Sequence, residues 1–182
     1  MKRIFLGIDL PEELKLKIES LKLKYQLKSL PIKLVEPANS HIAVKFLDTL
    51  TEGQIDKLNQ NIAVELKNFK SFEVKIENYL VFPNLDWPKV LALKVISSNL
   101  TGLATKLFHC FDGYNFIKPE DRAYTPHITL GRFKDKLSDF EKEKISNIRY
   151  EDEFKVDSIQ LFESKLTGEG PIYSIINEFK LQ

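Results

Sequence analysis

Two short stretches of this chain each place a histidine on the polar face of an apparent strand. Tyr124-Thr125-Pro126-His127-Ile128-Thr129-Leu130-Gly131-Arg132 reads as a strand entered through a proline, with Ile128 and Leu130 on one side and His127 and Thr129 on the other. Ser40-His41-Ile42-Ala43-Val44-Lys45-Phe46-Leu47 has the same period: Ile42, Val44 and Phe46 on the core face, His41, Ala43 and Lys45 opposite. An imidazole moves a proton near neutral pH, and a hydroxyl beside it donates to an anionic oxygen. Two imidazoles facing each other across a phosphate suit phosphodiester cleavage. One takes a proton from the attacking oxygen while the other gives one to the departing oxygen. Their reference pKa of about 6.5 permits opposite protonation states at the same pH. Hydroxyls and cations would hold the non-bridging oxygens as charge builds there.

Other chemistries find less support. Zinc needs at least three protein ligands, and there is no His-x-x-x-His or Cys-x-x-Cys spacing. No Gly-x-Ser-x-Gly elbow marks a serine hydrolase, and no glycine-rich phosphate cradle marks a nucleotide triphosphate site. Cys110 ends an apolar helix face and reads as a small core residue, with His109 beside it structural or exposed. The expectation is a site without metal or cofactor.

The surrounding pattern says what positions the two histidines. Ile4–Ile8 is apolar on both faces and reads as a buried strand. A helix starts at Pro11 with Glu12 and Glu13 in its first turn and carries Leu14, Ile18, Leu21 and Tyr25 inward. Pro31 and Pro37 bracket a loop ahead of the His41 strand. Then come a helix through Ile55, Leu58, Ile62 and Leu66, a strand over Phe72–Phe82, a turn at Pro83–Pro88 and a strand over Val90–Ile96. A helix carried by Leu100, Leu103, Ala104, Leu107 and Phe108 precedes the His127 strand. A helix over Leu137–Ile148, a strand over Phe154–Phe162, a turn at Gly168–Pro171 and a strand over Ile172–Leu181 close the chain. The order of elements around His41 recurs around His127. Two like lobes about a pseudo-twofold axis would set the histidines on opposite walls of one cleft.

At 182 residues the chain suits a single bilobal domain spanning residues 1–182, and its 43% apolar and 29% charged composition is that of a globular protein. A net charge of +1 gives no whole-molecule field for nucleic acid or membrane. Residues 1–33 nevertheless hold eight Lys/Arg against four Asp/Glu, read as a solvated helix face that permits a local basic surface. One cysteine, no membrane-length apolar run and too short an apolar stretch after Met1-Lys2-Arg3 for a signal peptide point to a cytoplasmic protein, expected to be a monomer.

With these residues in view, the chain resembles the two-histidine phosphoesterase superfamily, in particular its branch of bacterial and archaeal RNA 2′,3′-cyclic phosphodiesterases, also called 2′-5′ RNA ligases. The family pattern is His-x-Thr/Ser-x, twice. His127-Ile128-Thr129-Leu130 matches it, with Thr125-Pro126 before and Arg132 after. His41-Ile42-Ala43-Val44, followed by Lys45-Phe46-Leu47, is the other copy. The likeness extends to Ile4–Leu10 with Pro11, to Phe82-Pro83 before Pro88-Lys89-Val90-Leu91, and to Leu161–Leu166 with Gly170-Pro171-Ile172-Tyr173.

The resemblance implies an α+β fold with two antiparallel sheets flanking a central cleft and helices outside. It implies metal-independent hydrolysis of RNA ends or small nucleotides bearing a 2′,3′-cyclic phosphate to a 2′-phosphomonoester, with no membrane partner. By the family's roles His41 is the proton donor and His127 the proton acceptor, while Thr129 and Arg132 bind the phosphate. Two departures stand out. Ala43 replaces a family hydroxyl, a loss of about 1.5–3 kcal/mol if that donor acts in the transition state. Lys45, placed by alternation on the same face, would compensate as a substrate-binding group. Ala92 stands where the branch often carries Trp. The alternative function is a non-catalytic RNA-end binder with a degenerate site. Strict alternation sets Arg132 opposite His127, so it reaches the cleft only through a bulge, for which Gly131 offers the freedom.

Overall fold

The computed structural model describes residues 1–119, 123–168 and 170–182. Glu169 of the expected closing turn lies outside the described residues. In chain order the elements are β1 (Lys2–Asp9), α1 (Glu12–Lys24), β2 (Ile32–Leu34), β3 (His41–Leu50), α2 (Glu52–Leu66), β4 (Phe72–Phe82), β5 (Val90–Ile96), α3 (Ser98–Phe111), β6 (His127–Phe133), α4 (Asp139–Ser146), β7 (Glu151–Val156), β8 (Ser158–Leu166) and β9 (Pro171–Lys180).

The helices begin where local chemistry starts them. Thr51 accepts from the Gln54 backbone while the Gln54 side chain returns to the Thr51 N–H, and Ser138 and Glu141 do the same for α4. Ser97 accepts from the Leu100 N–H at the head of α3. Their apolar stripes, with Ile55, Leu58, Ile62, Leu100, Leu103 and Leu107, join Leu14 and Ile18 of α1 in one core against the sheet residues Leu6, Ile42, Ile128 and Leu130. Among the described residues no helix is long and apolar enough to cross a membrane.

The two expected sheets are one. The order is β7-β4-β5-β6-β3-β1-β8-β9, antiparallel throughout, with β2 added alongside β6. The join between the halves is slight: β3 and β6 share the single pair Ile42–Ile128. Both isoleucines are fully buried, so the two histidine strands diverge from a dry hinge with His41 and His127 on its open side. The strand expected over Phe154–Phe162 is two: β7 pairs with β4 in the His127 half, and β8 pairs with β1 in the His41 half. The chain changes halves at Asp157, which period-two alternation does not register. The three-residue β2, inside what reads as a proline-bracketed loop, pairs Lys33 with Arg132.

The lysines of the N-terminal segment are largely committed to intramolecular pairs. Lys15 meets Asp9 and Glu12, Lys17 meets Glu13 and Asp152, Lys22 meets Glu19, and Lys2 meets Glu52. The expected solvated helix face is only partly so, because Lys15 and Lys22 are buried, Lys15 beside its carboxylates and Lys22 also donating to the Val35 carbonyl.

Candidate active site

A cavity of about 480 Å³ opens between β3 and β6, lined by His41, Ala43 and Phe46 from one wall and by His127, Thr129 and Arg132 from the other. Its size is that of a small-molecule site. Lys33, Val35, Ile172 and Tyr173 complete its rim.

Both imidazoles are fixed in the same manner. His41 Nδ1 lies 2.7 Å from the carbonyl of Asn39, and His127 Nδ1 lies 2.7 Å from the carbonyl of Thr125. A carbonyl only accepts, so each Nδ1 carries a proton and donates it, leaving each Nε2 as the nitrogen for chemistry. In both strands the carbonyl belongs to the residue two places before the histidine. Each ring is also buttressed by a phenylalanine, Phe5 at 4.9 Å from His41 and Phe82 at 4.8 Å from His127. Tyr173 meets His41 edge-on at 5.1 Å.

Burial chiefly holds both histidines below their ordinary value, opposed by the backbone bonds to Asn39 and Thr125. The finer influences differ. His41 is further lowered by His127 and Arg132 and raised by Asp9, whereas Arg132 lowers His127. The strand pairing shows the same asymmetry: Asp9 is the cross-strand partner of His41, and Lys94 is that of His127. Asp9 is shared with Lys15, whose ammonium lies 3.0 Å from its carboxylate.

Two β-bulges decide which later residues reach the cleft. In β6, Thr129 pairs with Ala92 and Gly131 with Leu91, so Leu130 is an extra residue. The shift brings Arg132 onto the face of His127 and Thr129. The carbonyl of Leu130 is capped by the Val35 N–H at 2.9 Å, so the bulge leaves it satisfied. Gly131 permits it: a Cβ there would lie 2.8 Å from the Ile32 side chain and from the Lys33 carbonyl oxygen.

β3 carries a bulge at the same offset. Ala43 pairs with Gly7 and Lys45 with Leu6, leaving Val44 extra. This corrects the expectation for Lys45. The shift turns it off the histidine face, and it is buried against a separate cavity with Phe111, Tyr114 and Ile117, its ammonium 4.8 Å from the Phe108 ring centre. It is not placed to stand in for the hydroxyl that Ala43 lacks. The same shift brings out Phe46, which alternation assigns to the core and which is 66% exposed on the cleft wall. Phe46 and Tyr173 are the site residues that sequence reasoning missed. For Phe46 a signal existed: it stands at the same distance from His41 as Arg132 does from His127.

Tyr124 links the walls, its hydroxyl donating to the Ala43 carbonyl at 3.0 Å. Burial raises its pKa well above the ordinary tyrosine value, so it stays a donor. Ala92 is fully buried beside Thr129, so β5 presents no stacking surface there.

Known proteins share this architecture. The model of the 2′-5′ RNA ligase superfamily matches residues 10–167. An RNA 2′,3′-cyclic phosphodiesterase of Methanocaldococcus jannaschii is 34% identical over 97% of this chain and 99% of its own length. One of Methanothermobacter thermautotrophicus is 31% identical over 98% of each. Among solved structures, TT0787 of Thermus thermophilus superposes with a TM-score of 0.85 at 23% identity, covering 98% of this chain and 97% of that one. E. coli LigT complexed with 3′-AMP superposes with 0.81 at 18% identity, covering 100% and 98%.

Proposed function

The chain belongs to the 2′-5′ RNA ligase superfamily, and on that premise we propose that it hydrolyses RNA 2′,3′-cyclic phosphate ends to 2′-phosphomonoesters. The observation that carries this reading is the pair of imidazoles on opposite walls of one cleft, each with Nδ1 tied to a carbonyl and Nε2 left for the substrate.

In the reaction, His127 Nε2 takes a proton from water as the water oxygen bonds to phosphorus. The bond from phosphorus to the 3′ oxygen breaks, and that oxygen takes the proton carried by His41 Nε2. The 2′ ester survives. Thr129 and Arg132 hold the non-bridging oxygens, the hydroxyl by one donor and the guanidinium by several. The assignment of acid and base follows the family's roles. Of the charges nearby, the Asp9 carboxylate favours protonated His41 against the opposing influence of His127 and Arg132, and Arg132 favours neutral His127. Phe46 offers an aromatic face for the terminal base. The reaction uses no metal or cofactor, residues 1–182 act as one monomeric unit, and its place is the cytoplasm.

The test is incubation of purified protein with nucleoside 2′,3′-cyclic phosphates in excess EDTA, beside His41→Ala and His127→Ala. Each variant should lose about 10²-fold or more in rate. No turnover by the unmutated protein, or equal turnover by all three, would refute the proposal.

A further inference from the structure

Beyond the cleft, the turn between β4 and β5 presents an exposed indole at the end of the His127 wall. Trp87 is 62% exposed, yet its turn is tightly held. The Asn84 side chain accepts from the backbone N–H groups of Asp86 and Trp87, Asp86 pairs with Lys142 of α4 at 2.8 Å, and the Lys89 N–H donates to the Phe82 carbonyl at 2.8 Å. A large apolar ring kept exposed on an ordered turn points to an interaction surface, because a rigid aromatic contributes contact area with little loss of freedom on binding.

The turn is continuous with the site. Phe82, its first neighbour, packs on His127, and Val90, at its other end, pairs with Arg132. Trp87 is three residues from Val90, at most about 11 Å of chain from the strand position that pairs with Arg132, so a nucleotide upstream of the one bound at Arg132 is the part of a substrate that would meet it. The surroundings are cationic. Lys136 holds its ammonium 4.7 Å from the indole centre. Lys89, two residues after Trp87, and Lys134, two residues before Lys136, are both exposed, with the Phe133 N–H bonded to the Lys89 carbonyl. Of the nearby carboxylates, Asp86 and Asp139 face Lys142, and Asp135 accepts from the Lys136 backbone N–H. Cations interleaved with an exposed aromatic are what a single strand of nucleic acid needs: charge along the phosphates and a face for a base.

We propose that Trp87, with Lys134 and Lys136, is a stacking platform for a nucleotide upstream of the cyclic end. The preferred substrate class is then an oligoribonucleotide rather than a free cyclic mononucleotide. This rests on the function proposed above and sharpens it.

Trp87 is the single tryptophan, so its emission reports directly on the proposed contact. A short oligoribonucleotide ending in a 2′-phosphate should quench or shift that emission at saturation, and a mononucleoside 2′-phosphate should not. In kinetics, Trp87→Ala should lower the ratio of kcat/KM for a cyclic-ended oligomer over that for a cyclic mononucleotide at least about fivefold. Trp87→Phe should recover most of it, and Lys136→Gln should make the oligomer's KM less salt-dependent. An emission unmoved by the oligomer, or an unchanged ratio in Trp87→Ala, overturns the platform while leaving the hydrolase intact. If the unmutated protein hydrolyses neither compound, the proposed activity falls, and the emission titration still decides the binding site.

Discussion

Ala43→Thr tests the site at its most unusual point. Ala43 and Thr129 each stand two residues after a histidine, on opposite walls of the same cavity, and only one carries a hydroxyl. A hydroxyl donating to a phosphate oxygen is a bond to a charged group, worth about 1.5–3 kcal/mol. Exerted in the transition state, that is roughly 10- to 150-fold in rate. The backbone places no obstacle. A β-branched residue suits a strand, and the Ala43 carbonyl keeps its bond from Tyr124 whatever the side chain. The cavity of about 480 Å³ leaves room for one methyl and one hydroxyl. The assay is steady-state hydrolysis of a nucleoside 2′,3′-cyclic phosphate, with the 2′-phosphate resolved chromatographically. A rise in kcat of about tenfold or more at similar KM identifies a donor acting in the transition state. A fall in KM at constant kcat identifies one that binds the ground state equally. Ala43→Val adds the same bulk without the hydroxyl and should gain nothing. Equal gains in the Thr and Val variants, or no gain in the Thr variant at unchanged stability, refute the reasoning. In the second case Tyr173→Phe tests whether the hydroxyl of Tyr173, which lines the same cavity beside His41, supplies a donor instead.

Three further outcomes follow from the geometry. Gly131→Ala should cost about 1–3 kcal/mol in chemical denaturation and raise KM, because its Cβ would meet the Lys33 carbonyl oxygen at 2.8 Å and push β2 away from Arg132; unchanged stability and KM would contradict this packing account. Asp9→Asn should move the alkaline limb of the kcat/KM profile to lower pH, since losing the carboxylate leaves Phe5 packing, Tyr173, His127 and Arg132 around His41 with nothing anionic among them. A profile that only drops, without shifting, would make Asp9 a structural residue. Finally, both histidines are depressed mainly by burial, so below about pH 6.5 the unfolded chain binds more protons than the folded one, and stability must fall as pH drops toward the folded values. Thermal unfolding from pH 7.5 downward should show that slope, and His41→Ala with His127→Ala together should flatten it; a slope that persists in the double variant assigns it elsewhere.

How far the site could be read in advance turns on the register of two strands. His41, His127 and Thr129 were legible because each sits before its bulge, where alternation still holds. Past the bulge the phase inverts. That one slip accounts both for Lys45, read onto the cleft face and found in the core, and for Phe46, read into the core and found on the cleft. Gly131 gave warning of the bulge in β6, but Val44 carries no such mark in β3, and a buried valine is what an unbulged strand would also show. Pairings such as Ile42–Ile128, or β7 with β4, join residues far apart in sequence, and local pattern holds no information on them. What local pattern does offer is the comparison of equal offsets. Five places after each histidine stand Phe46 and Arg132, and across the strand from each histidine stand Asp9 and Lys94. Two identical walls would give two imidazoles of equal proton affinity, with nothing to choose the donor. The walls here differ, an aromatic against a guanidinium and, across the strand, a carboxylate against a lysine, and in the proposed reaction the Asp9 carboxylate is the difference that favours proton donation by His41.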